Sequence, residues 1–155
     1  MGNYVEKETL PIGIFDSGVG GISILKELVR LMPNENYIYL GDSANAPYGT
    51  KSSQQVQQLA LAVARHLVAQ GVKALVVACN TATAAAIDTL RQRYPEMIVV
   101  GIEPALKLAA DRFPGGRLGV LATEVTLREE KFDLLLHRFD ENCTVYKIPA
   151  PGLVQ

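Results

Sequence analysis

Between Ala74 and Ala86 the chain reads ALVVACNTATAAA, an apolar strand-like run that passes into an alanine-rich helix-like one, with Cys79, Asn80 and Thr81 at the junction. A thiol followed by an amide and a hydroxyl at such a junction can serve as a nucleophile or a base. It can equally be a small core residue, because free cysteine is among the most buried side chains. A second candidate is FDSGVGGIS, where Asp16 and Ser17 precede three glycines that let backbone N–H groups approach a ligand. The same residues also cap helices and fill turns. A third is GDSANAPYGTKSS, in which Pro47, Tyr48 and Gly49 can form a turn offering N–H donors and a phenol edge, or a plain surface loop.

Several familiar chemistries fail on spacing. GVGGIS lacks the Lys-Ser/Thr ending of a Walker loop and does not fit GxGxxG in register. A phosphatase loop of the C-x5-R type needs an arginine where Ala85 stands. A nucleophile elbow flanks its nucleophile with glycines, whereas Ala78 and Asn80 flank Cys79. Cys79 and Cys143 are too far apart for a CxxC pattern, and only His66 and His137 are on hand to help them build a metal site, so no metal is expected. A helix N-terminus just after Cys79 favours a thiolate and a lowered thiol pKa.

These loops must be positioned by regular elements. Apolar runs at PIGIF, YIYLG, KALVVAC, MIVVG, RLGVLA and CTVYKI alternate with helix-period segments, the pattern of βα units and a parallel-sheet α/β fold. Between the second and third runs, Val56, Leu59, Val63 and Leu67 recur at helical spacing, with Ser52 or Ser53 as N-cap, Gly71 as the stop and His66 on the flank. The next helix is expected from about Thr81 to Tyr94, before Pro95. The candidate loops then all fall at the carboxyl ends of strands, where parallel α/β sheets gather ligands. A boundary near Gly101 divides residues 1–100, an α/β domain with the DSG, PYG and CNTA motifs, from residues 101–155, read as a second, similar α/β domain cut short.

The chain has 155 residues, 48% of them hydrophobic, with 15 Lys and Arg against 16 Asp and Glu. That balance gives no electrostatic footprint for a nucleic acid. No signal core or membrane-length apolar run is present, so a cytoplasmic protein with free thiols is expected.

IGIFDSGVGGISILKEL, GDSANAPYGTKS and LVVACNTAT together resemble the successive signatures of bacterial glutamate racemases, within the aspartate/glutamate racemase superfamily; GIEPAL and RLGVLATEVTLR agree more weakly. The resemblance implies interconversion of L- and D-glutamate without pyridoxal phosphate or metal, supplying D-glutamate for peptidoglycan. It implies that Cys79 is one of two catalytic cysteines and that Asp16 adjusts or orients it. Ser17, Asn80 and Thr81, with the Pro47-Tyr48-Gly49 turn, would hold the substrate, and Thr123 and Thr126 match a polar turn on the second-domain side. Thr83 keeps the hydroxyl where the family usually has serine. The family's second cysteine lies in a Gly-Cys-Thr-His segment that is absent here, and Cys143, in ENCTVYKI, is assigned a structural role. The chain is therefore expected to be inactive alone. Its partner is glutamate, with no nucleic acid or membrane, and a homodimer is left open. The alternatives are aspartate racemisation, another reaction of the superfamily such as a cysteine-dependent decarboxylation, or a non-catalytic amino-acid-binding fragment.

Overall fold

The computed structural model describes residues 9–139 and 143–154. Six strands alternate with helices: β1 (Ile12–Asp16), α1 (Ile22–Leu31), β2 (Tyr37–Gly41), α2 (Ser53–Ala69), β3 (Ala74–Val77), α3 (Asn80–Arg93), β4 (Ile98–Gly101), α4 (Leu106–Arg112), β5 (Arg117–Ala122), α5 (Glu124–Arg128), α6 (Glu130–His137) and β6 (Thr144–Pro149). The first four strands form one sheet in the order β2-β1-β3-β4, and β5 and β6 pair in a second. Every pairing is parallel, as the alternation of strand and helix patterns requires.

Strand side chains alternate between faces, and the two faces of the first sheet have separate cores. Ile12, Ile14, Val76 and Ala78 pack under α1, against Ile24, Leu25 and Leu28. Phe15, Leu75, Val77 and Val99 face the opposite way, into a larger cluster with Val56, Val63 and Leu67 of α2 and Ala82, Ala86 and Leu90 of α3. Alanines at the α2–α3 contact let the two helices approach closely. Leu106, Leu127, Phe132 and Leu135 make a third, smaller core beside β5.

The expected helix signals are present in detail. Ser52 caps α2 with a full capping box, accepting from the Gln55 N–H while the Gln55 side chain accepts from the Ser52 N–H. Gly71, at φ +79°, ends it in a conformation that a side chain would strain. α3 begins one residue earlier than its pattern suggests, because Cys79 rather than Asn80 is the N-cap. Among the described residues, no helix is long and apolar enough to cross a membrane.

Register decides what the sheet presents. Asp16 stands level with Gly41, Phe15 with Val77, and Val77 with Gly101, so all four strands of the first sheet end along one edge. The loops after them emerge side by side.

Candidate active site

At the end of β1, Asp16 is 7% exposed, and both of its carboxylate oxygens are occupied. Oδ1 accepts from the Ser17 N–H at 2.7 Å and Oδ2 from the Gly21 N–H at 2.8 Å. The carboxylate therefore does the work of a helix-entry cap, since Gly21 at the N-cap of α1 has no side chain to offer. It also pins Ser17, whose hydroxyl is 3.5 Å from Asp16 Oδ1. Cap and site readings of this motif are thus the same set of contacts.

Cys79 reaches the same place from β3. Its Sγ accepts from the Ala82 N–H at 3.4 Å and donates to Ser17 Oγ at 3.6 Å, and the residue is 7% exposed. A line of contacts runs from Sγ through Ser17 Oγ to the Asp16 carboxylate. The lowered thiol pKa expected from the helix terminus does not result. Burial pushes the Cys79 thiol above its ordinary value; the Ala82 N–H and the Ser17 hydroxyl pull it back only in part, and Asp16 adds to the rise. Losing solvation outweighs one turn of helix dipole, so the resting group is a thiol.

The PYG turn is built differently from the expectation of an available phenol edge. Tyr48 is 1% exposed, its ring belongs to the large core, and its hydroxyl donates to Asp42 Oδ2 at 2.7 Å. Burial, then the hydrogen bond to Asp42, raise its pKa far above the ordinary phenol range, so it stays neutral. The phenol anchors the loop from below, and Asn45 Nδ2 holds the other side of the Asp42 carboxylate at 2.9 Å. Gly49 then lies on Thr123: a Cβ there would stand 2.4 Å from Thr123 Cγ2, closer than any side chain permits. Thr123 caps α5, and its Oγ1 is 3.0 Å from both Thr81 Oγ1 and Thr126 Oγ1, with 3.4 Å closing the triangle between Thr126 and Thr81. The two sheets thus meet through three buried hydroxyls beside Cys79.

Asp16, Ser17, Pro47, Tyr48, Gly49, Cys79, Asn80 and Thr81 all line one open cleft of about 1410 Å³, together with Thr123, Thr126 and the length of β5. Asn80 is exposed to it, whereas Thr81 is buried and engaged by Thr123. Thr83 turns its hydroxyl to the Val77 carbonyl instead. Cys143 lies elsewhere, buried with its Sγ 3.6 Å from the Phe139 carbonyl, and does not line the cleft. Among the described residues, no three His, Cys, Asp or Glu side chains gather as a metal site.

A family model for Asp/Glu/Hydantoin racemases matches residues 12–146. The chain belongs to that family. Among curated relatives of this racemase-family chain, a glutamate racemase of Bifidobacterium adolescentis is 54% identical over 149 residues, covering 95% of the chain and 57% of that protein. One from Clostridium botulinum is 50% identical over 151 residues, covering 97% and 58%. The chain thus spans little more than half the length of the curated relatives it matches. Among solved structures, the Francisella tularensis glutamate racemase in complex with D-glutamate superposes with a TM-score of 0.80 at 38% identity, over 92% of this chain and 53% of that one. The Escherichia coli glutamate racemase, in complex with L-glutamate and the activator UDP-MurNAc-ala, gives 0.83 at 34%, over 93% and 55%.

Sequence reasoning placed the loops but missed two residues that support them. Asp42 directly follows the last residue of β2 and seats Tyr48; Tyr39, two residues before the end of β2, donates to the Gly18 carbonyl at 2.9 Å. A signal for both was available: a polar group near the carboxyl end of a strand flanked by two candidate loops.

Proposed function

We propose that this cleft is one side of a glutamate racemase site in which Cys79 transfers the α-proton. The observation that carries the reading is the buried Cys79 thiol, in contact with Ser17 and lining a single cleft with every other loop candidate. In one direction Cys79, as thiolate, takes the α-proton; the C–H electron pair stays on the substrate, spread into its carboxylate, and an acid on the opposite face returns a proton with inversion. In the other direction the Cys79 thiol delivers the proton. Its raised pKa favours the protonated form that the second direction starts from. Ser17, which accepts from the thiol and is held by Asp16, orients it and stabilises charge during transfer. Asn80, Thr81 and the 47–49 turn hold the amino and carboxylate groups.

The opposite-face acid is assigned to a group other than Cys143, whose Sγ lies 3.6 Å from the Phe139 carbonyl and outside the cleft. On this reading the boundary near Gly101 separates the two contributions to the site, and the protein is cytoplasmic. The likeness to glutamate racemases, two of them bound to glutamate, favours glutamate over aspartate.

The test is incubation of residues 1–155 with L-glutamate and, separately, with D-glutamate in deuterium oxide, following α-deuterium uptake and formation of the opposite isomer together. The expected outcome is exchange without inversion for one of the two enantiomers, weaker with aspartate, and reduced by a factor of about 10²–10⁴ in Cys79→Ala. Catalytic D-glutamate production that Cys143→Ala abolishes, or exchange that survives Cys79→Ala, contradicts the assignment.

A further inference from the structure

Tyr37 and Tyr39 stand two residues apart on β2 and so project from the same face of the sheet, toward α1. Their hydroxyls go to different places. Tyr37 Oη meets the Leu28 and Met32 carbonyls at 3.0 and 2.9 Å, where α1 ends. Tyr39 Oη donates to the Gly18 carbonyl at 2.9 Å, in the loop after Asp16. Tyr39 itself does not line the cleft.

The Gly18 carbonyl is confined from a second side as well. A Cβ on Gly41 would stand 2.3 Å from that oxygen, so the carbonyl lies against the end of β2 in space that only a glycine leaves open. The Asp42 N–H also donates to the Asp16 carbonyl at 2.9 Å. Immediately before Gly18 is Ser17, the residue that touches Cys79 Sγ. We propose that Tyr39 is a positioning residue for Cys79: by holding the Gly18 carbonyl it keeps Ser17 against the thiol. The inference rests on Cys79 as the proton-transferring group, yet its test needs no turnover.

The groups acting on the thiol set the direction of the effect. Asp16 faces it from β1, and the hydroxyls of the half-buried Tyr39 and the buried Tyr48 lie near enough to sense its charge. Burial and Asp16 raise the thiol pKa; Ser17, through its hydroxyl and its N–H, lowers it. Releasing Ser17 removes a lowering influence and leaves the raising ones.

The experiment is iodoacetamide alkylation of the 155-residue chain from neutral to alkaline pH, with mass spectrometry of peptides reporting Cys79 separately from Cys143. Tyr39→Phe is expected to slow Cys79 alkylation on the rising limb by about threefold or more, the equivalent of half a pKa unit. Tyr37→Phe, which loses a hydroxyl from the same strand face, leaves the profile unchanged. Ser17→Ala, which removes the hydroxyl and keeps the N–H, slows alkylation as well, and Tyr39→Phe adds less on that background than it does alone. An unaltered or faster profile in Tyr39→Phe, an equal shift in Tyr37→Phe, or additivity with Ser17→Ala overturns the proposal. Should circular dichroism show Tyr39→Phe unfolded, Gly41→Ala displaces the same carbonyl and must give the same slowing. Failure of deuterium exchange with a preserved alkylation shift counts against the racemase reading and leaves the positioning role standing.

Discussion

β1 and β5 are both short parallel strands of largely apolar sequence, and they have different fates. Every residue of β1 is buried, because β2 and β3 flank it and helices cover both its faces. β5 has one neighbour, and its residues alternate between exposed and half-buried, with Leu121 at 58% exposure. Burial is therefore conferred by neighbours rather than written into a strand. The chemistry follows the same division: the closely held groups, Asp16, Ser17 and Cys79, stand at the end of the covered sheet. The β5 region contributes Thr123, which caps a five-residue helix, and Thr126 from within that helix.

The comparison is tested most severely by truncating a leucine in each sheet. Leu75, fully buried on β3, is expected to cost about 2–5 kcal/mol when replaced by alanine, measured by urea unfolding. Gly49→Ala comes next, at about 1–3 kcal/mol, because its Cβ would overlap Thr123 across the junction of the two sheets. Thr123→Ser, which deletes the obstructing Cγ2, should recover part of that loss; no recovery would show that the two regions do not bear on each other at this point.

A smaller effect is expected from alkaline pH. The folded-state pKa values of Cys79, Tyr37, Tyr39 and Tyr48 are all raised, chiefly by burial, so the unfolded chain releases its protons first. The stabilisation is complete below the ordinary values, roughly 8.5 for a thiol and 10 for a phenol, and declines as pH rises through and beyond them. Unfolding midpoints measured from neutral pH upward should therefore fall, and Cys79→Ala should flatten the first part of the decline. The smallest change is Leu121→Ala, within about 0.5 kcal/mol for an exposed site. A loss as large as that of Leu75→Ala would mean that β5 is covered in solution, and the contrast between the sheets would disappear.

Much of this was legible in the sequence, for a physical reason in each case. The six strands and the α2 boundaries follow from apolar periodicity, a capping box and a left-handed glycine, all of which act within a few residues. The loops carrying Asp16, Cys79 and Gly49 were placed by the rule for parallel strand ends. What escaped was decided at a distance. Whether Tyr48 offers its phenol depends on the core formed by α2 and α3, and on Asp42. The Cys79 pKa was misjudged because the helix terminus is visible in the sequence while the burial that overrides it is not. The contact of Gly49 with Thr123 joins residues far apart in the chain, and neither one announces the other.

The three threonine hydroxyls beside Cys79 have one further consequence. Each carries one hydrogen and can receive another, so Thr81, Thr123 and Thr126 close a ring in which every proton has a taker. Such a ring leaves no free O–H donor: a molecule entering the cleft accepts a hydrogen bond from it only by opening a link. The 3.4 Å link between Thr126 and Thr81 is the longest and the first to yield. An anionic oxygen can accept the hydrogen bond so released, whereas a donor can use the second lone pair that Thr81 and Thr126 each keep, with the ring still closed. An acceptor therefore has to break the ring in order to bind it, and a donor does not.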